Sequence, residues 1–159
     1  MKKKEIKTNA VRLLEQKKMD FALHDYTDTE ALSGTEVAAV LDENPDRVFK
    51  TLVTAGKSGE HYVFLVPVNR ELDLKKGAAA VGEKNIAMIK SKELLPLTGY
   101  IHGGCSPIGM KKFFTTTVDE SALNFEKIFF SAGRIGCQIE MKIADLDKII
   151  EYKTADITE

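Results

Sequence analysis

A chain of 159 residues with 43% hydrophobic content is long enough to close one core, and no composition shift marks a second, so a single domain over 1–159 is expected. Its 23 basic and 24 acidic residues leave a formal charge of −1, which excludes the broad positive field of a non-specific nucleic-acid binder; DNA is not an expected partner, and any RNA contact must be local. Cys105 and Cys137 form no C-x-x-C pair, no stretch approaches the roughly 20 apolar residues of a membrane span, and the N-terminal lysines lead into an amphipathic mixture, so disulfides, structural zinc, secretion and membrane insertion are not expected and a reducing cytoplasm fits.

From about Lys4 to Lys18, Ile6, Ala10, Leu13, Leu14 and Lys17 recur at helical spacing and predict a first helix. Phe21 to Tyr26 reads as a short strand. Ser33 and Glu36 have capping-box spacing for a helix through Leu41, and Asn44-Pro45 starts a further short helical turn. Phe49 to Thr54 and His61 to Val68 are rich in β-branched and aromatic residues around a glycine-containing turn, the signature of a hairpin. The second run is apolar at almost every position and is expected at the centre of a sheet. A helix over Leu72 to Val81, an extended Ile86 to Ile89 and a short helix from Ser91 to Leu95, stopped by Pro96, follow. Strands are expected at Phe113 to Val118, Ile128 to Ser131 and Gln138 to Met141, and a last helix carries Ile143, Leu146, Ile149 and Ile150 on one face. The irregular alternation, without a βαβ repeat, predicts an α+β domain around a curved, mixed and largely antiparallel sheet packed with helices.

Chemistry is concentrated where the composition is least ordinary. From Gly99 to Gly109 there are four glycines in eleven positions, around His102-Gly103-Gly104-Cys105-Ser106-Pro107. Such a loop can bring successive N–H groups onto one acceptor, as in an oxyanion hole, or it can simply be a tight connection. It lacks the Gly-Lys-Ser/Thr ending of a phosphate loop. The turn Ser131-Ala132-Gly133-Arg134-Ile135-Gly136 reads as a hairpin connection. Lys50 stands inside the apolar strand Val48-Phe49-Lys50-Thr51-Leu52-Val53, either as an outward solvated residue or as a cation aimed into a pocket. His24, His61 and His102 lack metal-ligand spacing, so no metal and no cofactor is expected. His102 and Cys105 are three apart in an irregular loop, which does not fix a base-nucleophile geometry.

The strand motif VFKTLV, the helix motif LDLKKGAAAVG, the loop TGYIHGGCSPIGMKK and the turn SAGRIGCQIE together resemble the YbaK/EbsC family of aminoacyl-tRNA deacylases, related to the editing domain of bacterial prolyl-tRNA synthetases. The form GGCSPIG is similar to the Cys-specific branch. The resemblance implies hydrolysis of mischarged tRNA, with Cys-tRNA(Pro) as substrate and a prolyl-tRNA synthetase as candidate partner. It implies that Lys50 is the family's functionally required lysine and that Gly103 to Pro107 form its substrate-positioning G-x-x-x-P loop, with Cys105 and Ser106 between. It also places Tyr26 on a pocket tyrosine, and Ser131, Gly133 and Arg134 on the turn bordering the site. In the family's usual account the substrate's own thiol attacks the ester, so Gly103 and Gly104 would supply N–H groups to the oxyanion while Lys50 anchors phosphate or adenosine, or assists proton transfer. Ile135 departs from relatives that carry a second basic residue there. A deacylase for Ala or Ser using an attacking water, and a non-catalytic tRNA- or synthetase-binding module, are the competing readings.

Overall fold

The apolar run His-Tyr-Val-Phe-Leu-Val-Pro has strands on both edges and a hydrophobic cluster on each face, and this organises the larger of two sheets in a computed structural model that describes residues 7–25 and 44–159. Strands β2 (Phe49–Gly56) and β3 (His61–Pro67) form the expected antiparallel hairpin, with Lys50 opposite Val66. In β3, Val63, Phe64, Leu65 and Val66 are all buried. On one side β2 also pairs with β4 (Ile86–Met88); on the other β3 pairs in parallel with β5 (Thr115–Asp119), which pairs in parallel with β8 (Lys153–Ala155). A second, antiparallel sheet has β7 (Cys137–Lys142) between β1 (Ala22–Asp25) and β6 (Lys127–Ser131). The two sheets meet at a parallel bridge between Val48 and Phe129. The architecture is thus α+β with mixed and antiparallel sheets, as the sequence implies, but what was expected as one sheet is divided in two.

The helices are shorter or longer than their apolar spacing suggests because caps decide their ends. Helix α1 covers Asn9–Gln16, opened by Thr8, whose hydroxyl accepts the Val11 N–H at 3.2 Å. Its buried face is Ala10, Val11 and Leu14. Helix α2 (Leu74–Val81) begins at Asp73, which caps the N–H groups of Lys75 and Lys76. Helix α3 runs Ser91–Thr98 with Pro96 inside it; the stop is Gly99, left-handed at φ 89°, whose N–H reaches the Leu95 carbonyl. Proline removes one hydrogen bond there without ending the helix, contrary to the sequence reading. Helix α4 is only Ile143–Leu146, a single turn from which Ile149 and Ile150 continue irregularly. The helix expected from Ser33 to Leu41, and Tyr26 with it, lie outside the described residues. The main core joins α1, β2, β3, β5, β6 and β7 around Leu65, Phe130 and Ile139. Among the described residues no helix is long and apolar enough to cross a membrane.

Candidate active site

Beyond the Val48–Phe129 bridge, β2 and β6 diverge. Both strands run the same way there, so two residues further along each come Lys50 and Ser131, on the face that carries Val48 and Phe129. Across the β6–β7 ladder, Ser131 pairs with Gln138. The gap between the strands is a cavity of about 480 Å³, lined by Lys50, Thr51, Ser131 and Gln138 on the strand side and by His102, Gly103 and Cys105 on the loop side, with apolar Phe49, Val53 and Leu94. That volume falls within the range of small-molecule sites, about 300–1,000 Å³. The described lining contains two lysines, Lys50 and Lys90, and no carboxylate. The cavity therefore favours a ligand that carries negative charge.

Lys50 is partly buried, and its Nζ lies 3.3 Å from Glu71 Oε1, a carboxylate at 73% exposure. Such a pair is weak because the acid is solvated. The ammonium can leave it for an incoming phosphate at little cost.

The loop wall is held from behind by Tyr100, which sequence reasoning passed over. Its hydroxyl donates to the Ile108 carbonyl at 2.6 Å, and burial raises the phenol's pKa. Around this ring the chain closes so tightly that a methyl on Gly109 would lie 2.9 Å from the Tyr100 hydroxyl, and one on Gly133 would lie 2.8 Å from its Cε1. Gly103 and Gly104 then divide the work. A hydrogen bond from Gly104 N–H to the Ile101 carbonyl, 2.9 Å, closes a turn in which Gly103 takes the third place at φ 84°. That is the position a type II turn reserves for glycine. The donor role expected of Gly104 is thus not available in this conformation; its backbone instead packs on Arg134 and Ile135, where a methyl would lie 2.9 Å from the Ile135 nitrogen. Gly103 is exposed, lines the cavity, and among the described residues its N–H has no partner.

Cys105 lines the cavity but is 6% exposed, and burial pushes its thiol up to about 12. A thiol held in that form is a poor nucleophile. Ser106 is fully buried, its hydroxyl accepting the Ile108 N–H at 3.3 Å, and Pro107 is buried beside it; neither lines the cavity. Of the second turn only Ser131 reaches the lining. Its hydroxyl accepts the Gly133 N–H at 3.1 Å, while Gly133 and Arg134 stand behind it. The structure also brings in Gln138, Thr51 and His102, which the sequence reading did not assign to a site. Gln138 Oε1 and Thr51 Oγ1 are buried and have no hydrogen-bond partner among the described residues. Among the described residues no three His, Cys, Asp or Glu side chains gather to hold a metal ion.

Comparison with known proteins places the chain among relatives. Residues 28–149 match the aminoacyl-tRNA editing domain. The chain is 44% identical, over 99% of its length and 96% of the relative's, to EbsC of Enterococcus faecalis, named for a proposed Cys-tRNA(Pro)/Cys-tRNA(Cys) deacylase activity. It is 30% identical over 98 residues to the proline–tRNA ligase of Thermosipho melanesiensis, of which it spans 17%. Among solved structures, one described as a proposed trans-editing enzyme for prolyl-tRNA synthetase superposes with a TM-score of 0.83 at 23% identity, covering 98% of this chain and 99% of that one. A hypothetical protein superposes at 0.86 and 21%, covering 96% and 100%. The fold is therefore shared, and on the extent of the sequence match this chain belongs to the aminoacyl-tRNA editing domain family.

Proposed function

We propose that the protein is a trans-acting deacylase that removes Cys from mischarged tRNA, with Cys-tRNA(Pro) as its principal substrate. The observation that carries this reading is the pairing of an open Gly103 backbone with a lining that offers no activated enzyme nucleophile: Cys105 is buried and protonated, and the Ser131 hydroxyl oxygen already accepts the Gly133 N–H. An ester bound there is opened without an enzyme nucleophile, and the thiol of a cysteine ester is the nucleophile nearest to its carbonyl. The substrate thiol attacks the ester carbonyl, the C–S bond forms, and the C–O bond to the terminal ribose breaks. The thiol proton ends on the departing ribose hydroxyl, and water then opens the thiolactone to free cysteine. Gly103 N–H faces the developing oxyanion, and Lys50, exchanging Glu71 for a phosphate of the terminal nucleotide, anchors the tRNA end at the rim.

The whole chain acts as one editing unit in the cytoplasm, where both buried cysteines stay free thiols. With so little net charge it takes much of its tRNA selectivity from a partner, for which a prolyl-tRNA synthetase is suited. The test compares single-turnover hydrolysis of Cys-tRNA(Pro) with that of Ser-tRNA(Pro), which keeps the ester and removes the thiol. A loss of roughly a hundredfold or more is expected, since an intramolecular nucleophile is replaced by water. Comparable rates would sink the substrate-thiol step and favour an attacking water.

A further inference from the structure

A buried polar oxygen with no partner is costly, and in a native structure it calls for a reason. Gln138 is 5% exposed, its Oε1 has no hydrogen-bond partner among the described residues, and it lines the cavity. It does not belong to the core behind it: along β7, Cys137, Ile139 and Met141 enter the main core, so Gln138 points to the opposite face, beside Ser131. The other polar groups of the site each match one part of an aminoacyl-tRNA end. Lys50 is a cation for phosphate, and Gly103 N–H is a donor for the ester oxygen. The strongest donor left on the aminoacyl group is its α-amine, next to the reacting carbonyl, and the described lining has no carboxylate to receive it.

We infer that Gln138 is a specificity-determining residue whose carboxamide oxygen accepts a hydrogen bond from the substrate's α-amine. The inference rests on the deacylase reading above. A neutral acceptor suits a cavity whose rim is already cationic. The amine contact orients the Cα substituents, so that the thiol, rather than the amine, is turned to the ester carbonyl.

The experiment uses two esters of the same tRNA(Pro), one of cysteine and one of 3-mercaptopropanoate, which keeps the thiol and replaces the amine by a hydrogen that cannot donate. Each is hydrolysed by the wild-type protein, Gln138→Leu and Gln138→Glu. Gln138→Leu is expected to lose roughly ten- to a hundredfold in kcat/KM on the cysteine ester, the scale of one buried hydrogen bond, and far less on the ester that lacks the amine. Its melting temperature should hold or rise, because an unpartnered buried oxygen has been removed. Gln138→Glu, which keeps an acceptor, should retain the preference for the amine-bearing ester even if its overall rate falls. Equal losses on both esters in folded Gln138→Leu would overturn the assignment and leave Gln138 a shaping residue. A loss that tracks removal of the ribose 2′-hydroxyl instead would place ribose there and overturn it equally. A wild-type protein that hydrolyses neither ester would instead overturn the deacylase reading itself.

Discussion

The two walls of the cavity are stiffened by different means. The strand wall, Lys50 to Val53, is held by the β2–β3 ladder, whose hydrogen bonds do not depend on which side chains it carries. The loop wall, Gly103 to Cys105, has no ladder; Gly104 is fixed by packing on the backbone of Arg134 and Ile135, while Gly109 and Gly133 close on Tyr100, and at these three the missing β-carbon is part of the fit. Substitutions on the first wall should therefore alter chemistry and spare the fold. On the second wall the two effects separate only residue by residue.

Gly103→Ala should show the largest effect on rate. A methyl there meets only the Ile135 side chain, at 3.6 Å, so the space is open, but φ 84° is strained for alanine and the N–H turns. A loss of about a hundred- to a thousandfold in single-turnover deacylation is expected, with about 1 kcal/mol of stability. Normal rates in a variant that merely melts early would show that Gly103 serves its turn alone. Lys50→Ala comes next, at roughly ten- to a hundredfold in kcat/KM, the worth of one charge-assisted contact. Because its partner Glu71 is 73% exposed, the melting temperature should scarcely move, and circular dichroism checks the fold. A folded variant with full turnover would remove Lys50 from the site.

Gly104→Ala inverts the pattern. Its methyl would lie within 3.0 Å of the Arg134 and Ile135 backbones, which cannot swing away as a side chain can, and a cost of about 1–3 kcal/mol is expected by chemical denaturation. Cys105→Ala should keep most activity and lose about 1 kcal/mol for the sulfur it removes. A thousandfold loss of rate would restore the enzyme thiol as nucleophile.

The smallest effect lies outside both walls and serves as their control. Glu83 accepts hydrogen bonds from the Ser58 hydroxyl and from the Tyr62 hydroxyl at 2.6 Å, which hold its carboxyl below the ordinary 4.5. A depressed carboxylate contributes stability above its unfolded pKa and loses it as pH falls through the folded one. Melting curves of wild type and Glu83→Gln should thus differ slightly at pH 7 and converge once pH has passed below the folded value. A difference that persists in acid would mean that the carboxylate's charge plays no part.

The same division explains what could be read from the sequence. The β2–β3 hairpin was legible because both of its runs are β-branched and apolar, and the glycine loop because so many glycines in one stretch are costly without a purpose. β8 was not: Lys153-Thr154-Ala155 carries no alternation, and it becomes a strand only because β5 offers an edge. Pro96 misled because its position relative to Gly99, rather than its presence, decides where α3 ends. At the site, Lys50 stood out as a charge among apolar neighbours. Gln138 did not, since a glutamine in a strand is ordinary until its burial is known. Gly104 looked interchangeable with Gly103, and it is the hydrogen bond to Ile101 and the packing on Arg134 and Ile135 that tell them apart.

The cap of the first helix reaches much further than one helical turn. Thr8 donates its hydroxyl to the carbonyl of Ala132, 124 positions away, while the space against Gly133 is closed by Thr8 itself and that against Gly109 by the backbone of Asn9 and Ala10. Both glycine turns are thereby clamped by the same end of α1. Hydrogen exchange should register this as one cooperative unit, in which the amides of Gly133, Ile108 and the α1 core open together, before the β2–β3 ladder does. Fraying at Thr8 would then be felt at the glycine loop, and the protection of a few helix amides would measure how often the cavity wall is intact.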